Sequence, residues 1–393
     1  MHLAKLINKP ESKDTMTEAV MVQRVNNKIT PRIDINVGHA CNIRCEFCYY
    51  IKTYNNKLSE DLTTEEIKRL LVQARKRGKF MVDFTGGEPT MRPDLPELVR
   101  FAGDIGFSRI CTITNGLMMS RKEYLQKLKD AGLNDILFSV HGHNEDVHDN
   151  TTKVKGSFKL VMQAIKNAQE LGMYYRMNGV INNRNYKDTE KLFELFASLK
   201  PYVANFILYN PVAEITDEEN LKKKGVTYTE AAPYIMNAIK EYKGQFRKIN
   251  IRFMPYCTLP GYEQHISTMR QIQYDSDEWD YQFHVRMKRG VPIQLGATMA
   301  GMVIGMRNPY FRQADIHTKL REAINEVRII QDRVKSPKCK ACRFEPICDG
   351  FPRTYVKARG DSEINPVPGE KIYDPAHFLK INNTDGTYFN DTR

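Results

Sequence analysis

No run of about 18 apolar residues occurs in this 393-residue chain, so no segment reads as a membrane-spanning helix. The longest apolar stretch, 296–306, is short and broken by glycines. Residues 1–30 are polar and charged throughout; the apolar segment of a secretory signal is missing, and a cytoplasmic protein is expected. Low-complexity tracts are absent, as are Lys/Arg blocks interleaved with aromatics, so a nucleic-acid platform is not expected. With 41% hydrophobic and 27% charged residues, disorder is not indicated, and the length allows one large domain or two smaller ones. The formal charge of +12 suits either an ordinary basic surface or an anionic small-molecule substrate, and does not choose between them.

Cysteine is sparse, at eight residues, but it is grouped. Cys41, Cys45 and Cys48 fall together near the start, Cys339, Cys342 and Cys348 near the end, and no cysteine follows 348. In a chain expected to be cytoplasmic, such grouping points to metal binding rather than disulfides. Cys111 lies inside an expected strand and reads as a buried, inert thiol.

Between 32 and 212 the pattern alternates strand and helix. Strands are expected at 32–37, 80–84, 109–114, 135–140, 175–181 and 205–208. Helices are expected at 63–77, 94–104, 122–130, around 158–171 and at 188–199. The first helix opens with a capping box, Thr63 to Glu66, and carries the stripe Ile67, Leu70, Leu71, Ala74. Six strands with intervening helices imply an α/β fold with a parallel sheet of right-handed βαβ units, as a partial (β/α)6 barrel or a doubly wound sheet. In either form the site lies at the C-terminal ends of the strands. Beyond Pro211 the alternation fades into a helix at 229–242, a strand at 250–254, an irregular stretch with one helix near 319–333, and an extended tail.

The segment Cys41-Asn42-Ile43-Arg44-Cys45-Glu46-Phe47-Cys48 sets three thiols on a short loop after the first strand. Three close soft ligands suit a four-iron cubane with one iron left for an exogenous ligand; zinc would need a fourth ligand, which His39 could supply. Gly86-Gly87-Glu88-Pro89 follows the second strand. Its glycines allow close approach of backbone to a ligand, and the Glu88 carboxylate can meet an ammonium. Thr114 and Asn115 end the third strand, and Ser139 and His141 end the fourth.

Cys-x3-Cys-x2-Cys with Phe47 before the last cysteine, followed downstream by Gly-Gly-Glu-Pro, resembles the radical S-adenosylmethionine (SAM) superfamily over residues 32–212. The resemblance implies a partial barrel in which Cys41, Cys45 and Cys48 hold a 4Fe-4S cluster. Phe47, Gly86, Gly87, Glu88, Pro89, Thr114, Asn115, Ser139 and His141 would then surround SAM. Many members place an arginine for the SAM carboxylate after the fourth strand; this chain has Lys153 and Lys155 there, and Lys153 is taken as the counterpart. The implied chemistry is reductive cleavage of SAM to a 5′-deoxyadenosyl radical that abstracts a substrate hydrogen atom, with an electron donor such as flavodoxin or ferredoxin.

Cys339-x2-Cys342-x5-Cys348 resembles the twitch and SPASM extensions of such enzymes, which hold auxiliary 4Fe-4S clusters; a structural zinc knot is the alternative. SPASM patterns continue with a cysteine four residues on, where this chain has Pro352, so one auxiliary cluster is expected, with Cys257 as fourth ligand. The expected organisation is an N-terminal extension (1–30), the core barrel (31–215), a helical connection (216–250), a small auxiliary-cluster domain (251–360) and a tail (361–393). Related enzymes modify ribosomally made peptides or act on sugars, nucleosides and cofactor precursors. Peptide-modifying members often carry an N-terminal module larger than the 30 residues preceding the first strand here, so a small metabolite is favoured. A zinc-binding nucleic-acid adaptor would explain the charge but neither Gly86–Pro89 nor the βα units.

Overall fold

The computed structural model describes residues 32–48, 61–209, 218–268, 282–284, 333–374 and 377–378. Six strands alternate with helices along the chain. They are β1 (Arg32–Asn36), β2 (Met81–Thr85), β3 (Arg109–Thr114), β4 (Asp135–Ser139), β5 (Tyr174–Ile181) and β6 (Ala204–Leu208). The helices between them are α1 (Thr64–Lys76), α2 (Leu95–Asp104), α3 (Lys122–Asp130), α4 (Glu145–Thr152), α5 (Ser157–Glu170) and α6 (Thr189–Leu199). After α7 (Glu218–Lys224) and α8 (Tyr228–Tyr242) come β7 (Ile249–Arg252), β8 (Ile266–Ser267) and β9 (Gln282–His284).

All nine strands form one parallel sheet, in the order β8-β7-β6-β5-β4-β3-β2-β1-β9. The sheet is the curled, open partial barrel of the sequence reading, extended past six strands by β7, β8 and β9. The strand expected at 250–254 is therefore part of the barrel sheet. The helix expected near 319–333 lies outside the described residues, apart from Arg333 at its end.

The β1 sequence Arg-Ile-Asp-Ile-Asn shows how the barrel is built. Successive side chains point to opposite faces. Ile33 and Ile35 join the apolar layer under the helices, while Arg32 and Asp34 line the barrel interior. The helices supply matching stripes: Ile67, Leu71 and Ala74 of α1 are buried, and its Thr63–Glu66 capping box forms in both directions.

The barrel floor is ionic. Arg32 pairs with Asp83, Arg176 meets Asp135 at 2.9 Å and Asp83 at 3.7 Å, and the Arg176 Nη2 donates to the Cys111 sulfur at 3.2 Å. Removing one partner of such a buried network costs about 3–5 kcal/mol, because a charge is left without compensation.

A second, small unit packs beyond β7. Two short strands, β10 (Arg333–Val334) and β11 (Phe351–Pro352), pair antiparallel and lead into α9 (Arg353–Arg359). Tyr256, which follows β7, is buried between Phe344 and Phe378 with ring centroids 5.0 and 5.5 Å away. The Tyr228 amide of α8 donates to the Tyr355 hydroxyl of α9 at 3.2 Å.

Candidate active site

The cysteine loop leaves β1 and is pinned from two sides. The amides of Arg44 and Glu46 donate to the carbonyls of Thr152 and Thr151, at 2.8 and 3.2 Å, at the end of α4. Helix α4 was not foreseen, because Glu145–Thr152 has no apolar stripe; its only signal is the Asn144 cap, which accepts from the Val147 amide at 2.9 Å. On the other side, the Gly87 and Glu88 amides donate to the Gly38 and Ala40 carbonyls, each at 2.7 Å.

Those two bonds revise the reason for the glycine pair. A Cβ at Gly86 would collide with the Gly38 carbonyl oxygen, and one at Gly87 with that of Ala40. Gly86 is also left-handed, at φ 135°. The pair is needed for the close approach of the cysteine loop's own backbone.

Glu88 joins this layer to β3. Glu88 is only 3% exposed. Its Oε1 accepts from the Thr90 amide (3.1 Å), the Thr90 hydroxyl (2.5 Å) and the Thr114 hydroxyl (2.7 Å), and its Oε2 accepts from the Asn115 amide at 2.7 Å. Burial raises the Glu88 pKa, and these donors pull it back. A carboxylate offers about four lone-pair sites, two on each oxygen, so Oε2 retains acceptor capacity for a ligand ammonium. Pro89 opens the short turn Pro89–Met91 that aims the Thr90 amide at this carboxylate. Asn115 reaches back to the cysteine loop, donating to Asn42 at 2.7 Å.

These groups line one cavity of about 720 Å³ inside the barrel. Cys41, Cys45, Cys48, Phe47, Gly86, Gly87, Glu88, Thr114, Asn115, Ser139 and His141 all border it. Pro89 lies behind the lining, and Lys153 lies outside it. Lys153 is 3.3 Å from Glu46 with its side chain 44% exposed, in a pair that also engages Arg184. Among the described residues, the cations that do border the cavity are Arg32, Arg44 and Arg252.

His141 packs edge-on against Phe47 at 4.8 Å, and burial together with His148 pushes its pKa down to about 3. Its Nδ1 accepts from the Val180 amide, so the neutral ring carries its proton on Nε2. Asp34, Asn178, Tyr209 and Phe253 also border the cavity, and the sequence reading missed them. The signal was present for Asp34: a carboxylate alternating with isoleucines in a buried parallel strand has to face inward.

The three thiols sit close enough to hinder one another's ionisation. Burial lifts Cys41 to about 11, and burial followed by Cys48 and Cys41 lifts Cys45 well above the usual thiol range. They become stable thiolates only beside a strong positive charge. Among the described residues, no group of three or more His, Cys, Asp or Glu converges on a single metal ion. His39 is instead bonded through Nδ1 to Asp61 at 2.7 Å. The donor set thus fits a polynuclear cluster, in which each thiolate binds a different iron, better than zinc.

The C-terminal unit gathers the other thiols. Cys257, on the turn after β7, borders the same small cavity as Cys339, Cys342 and Cys348. Backbone amides donate to sulfur, Gly350 to Cys348 at 3.3 Å and Val367 to Cys342 at 3.4 Å. Burial and then Cys348 push Cys257 up to about 12. Cys111 takes no part in either group and is fully buried.

A profile of the radical SAM superfamily matches residues 35–196. Fe-coproporphyrin III synthase of Methanosarcina barkeri is 34% identical over 170 residues, 43% of this chain and 42% of that protein. Probable GTP 3′,8-cyclase of Saccharolobus solfataricus is 35% identical over 179 residues, 45% of this chain and 56% of that protein. The chain therefore spans about half the length of the curated relatives it matches. The solved structure of anSMEcpe with bound AdoMet shares the fold, with a TM-score of 0.53 at 14% identity, covering 91% of this chain and 99% of that one. No helix among the described residues is long and apolar enough to cross a membrane.

Proposed function

Because this chain carries a radical SAM domain over residues 35–196, we propose that it cleaves SAM reductively and uses the resulting radical to abstract hydrogen from a small metabolite. The observation that carries the reading is the single cavity bordered by Cys41, Cys45, Cys48 and Glu88 at the C-terminal ends of the strands. Cys41, Cys45 and Cys48 would hold a 4Fe-4S cluster, which would supply the electron for SAM cleavage from a low-potential donor such as flavodoxin or ferredoxin.

This chain's residues do the positioning. Glu88 Oε2 offers a lone pair to the SAM ammonium, while Thr90, Thr114 and Asn115 fix the carboxylate. Ser139 and the Nε2–H of His141 give polar contacts at the end of β4. Arg44 and Arg252 border the cavity and Lys153 does not, so one of these two arginines is the better source of positive charge for the SAM carboxylate. The barrel wall excludes water from the reacting atoms.

Cys257, Cys339, Cys342 and Cys348 would hold a second 4Fe-4S cluster. Four thiols on one cavity with amide donors to sulfur support that reading. Ligand pockets run to about 300–1,000 Å³, so a cavity of about 720 Å³ has room for SAM and a small partner together. The two curated relatives are named for tetrapyrrole and nucleotide chemistry, which also favours a metabolite.

The test is anaerobic reconstitution, reduction and measurement of 5′-deoxyadenosine. Wild-type protein should release it slowly without substrate and faster with the right metabolite. If only a short peptide accelerates release, the maturase reading replaces the metabolite one.

A further inference from the structure

Two features of the cavity remain unused by SAM cleavage. Asp34 on β1 is 4% exposed and borders the cavity, and its Oδ1 has no hydrogen-bond partner among the described residues. Asn178 on β5 also borders the cavity with an unpartnered Oδ1. A buried acceptor left unpaired is costly, and in a ligand cavity it marks the place where a ligand donor belongs.

The second feature is Phe253, which follows the last residue of β7. Its backbone is left-handed, at φ 65°, a conformation that a bulky side chain adopts only when held there. The Tyr228 hydroxyl donates to the Phe253 carbonyl at 3.3 Å, and the Arg333 guanidinium lies 5.7 Å from the ring centroid. Along a regular strand, neighbouring side chains face opposite ways. Here Arg252 and Phe253 both border the cavity. The reversal at Phe253 is what brings its ring to the same side as Arg252, whose charge reaches Asp34 across the barrel. Phe253 stays 36% exposed.

We propose that Asp34 and Phe253 form the substrate subsite of the barrel, selecting a small planar heterocycle. An N–H or amino edge of that ring would bond the Asp34 carboxyl, and its face would lie on the Phe253 ring. Asn178 supplies a second acceptor for the same edge. This deepens the metabolite reading above and rests on it. Aromatic faces suit flat rings, and paired acceptors suit a ring edge carrying two donors, as guanine has. An iron-bearing tetrapyrrole has no free ring N–H and carries carboxylates, so it meets this subsite poorly.

The experiment uses the anaerobically reconstituted, SAM-loaded holoenzyme, with GTP and Fe-coproporphyrin III as probes in calorimetric titrations. GTP should bind saturably and Fe-coproporphyrin III should not. Asp34→Asn and Phe253→Leu should each weaken GTP at least tenfold, while Phe253→Tyr stays within twofold of wild type. Substrate-free release of 5′-deoxyadenosine is measured on each variant alongside, so that a loss of GTP binding is separated from a loss of SAM cleavage. Phe253→Gly, which removes the side chain that strains the backbone, should melt at or above the wild-type temperature and yet bind GTP at least tenfold more weakly. The proposal is overturned by absence of saturable GTP binding, by variants that bind like wild type, by preference for Fe-coproporphyrin III, or by a Phe253→Gly protein that melts lower. Failure of wild-type protein to cleave SAM would instead sink the underlying radical SAM reading, whatever the titrations give.

Discussion

Cys41, Cys45 and Cys48 come from one loop, whereas the second group draws Cys257 from the end of β7 and three more thiols from a distant segment. The first group is held from outside, by α4 carbonyls and by the Gly87 and Glu88 amides, and its sulfurs border a large cavity. The second is closed by its own amides and by Tyr256 packed on Phe344 and Phe378. On the proposed assignment, three ligands beside a wide cavity would leave a position for a ligand that must come and go, and four ligands in a tight pocket would leave none. The comparison teaches that count and enclosure, more than spacing, separate a reactive cluster site from a saturated one.

Several substitutions break that comparison at different points. Gly87→Ala should have the largest effect, because its Cβ would occupy the position of the Ala40 carbonyl oxygen. Overpacking costs about 1–3 kcal/mol, and the lost Gly87 and Glu88 amide bonds add about 1 kcal/mol each. Iron analysis should show the first cluster lost and about four irons kept at the second.

Cys257→Ala probes the other side. It should leave substrate-free SAM cleavage within about twofold while altering the second cluster's paramagnetic resonance signal; substrate turnover should drop by about tenfold or more if that cluster handles the product electron. Wild-type spectra and turnover in this variant would make Cys257 an ordinary buried thiol.

A smaller effect concerns acid. Burial holds His148 down to about 4, against an ordinary value of about 6.5. The unfolded chain therefore binds protons that the folded one refuses. Stability from this group is complete above about pH 6.5 and is lost as pH falls toward 4, by about 3 kcal/mol at most. His148→Gln, which keeps an acceptor for the His141 amide, should flatten the decline in melting temperature between pH 7 and 4. An unchanged slope would locate the acid sensitivity elsewhere.

The smallest change is expected for Lys153→Ala, since this side chain is partly exposed and paired with Glu46. SAM cleavage should stay within about twofold, as for other exposed ion pairs worth at most about 1 kcal/mol. A tenfold loss would restore Lys153 to the SAM site.

Much of this was legible in the sequence because the barrel's signals are local. The Thr63–Glu66 box, the α1 stripe and the six strands depend on residues a few positions apart, and the structure forms them. The cavity lining was partly legible, since motifs at strand ends meet at the C-terminal rim. Three things were hidden. Helix α4 has no apolar face to announce it. The use of Gly86 and Gly87 depends on where the chain from Gly38 to Ala40 runs, which no spacing reveals. Lys153 was placed by position after the fourth strand, but its direction is set by Glu46, from the cysteine loop.

The most direct test of the two-site account is 5′-deoxyadenosine release, without substrate, by Cys45→Ala and Cys342→Ala proteins prepared side by side. The account predicts that Cys45→Ala releases none above background and Cys342→Ala releases it within about twofold of wild type. Release that persists in Cys45→Ala, or disappears only in Cys342→Ala, would contradict the assignment of the reactive cluster to the loop after β1.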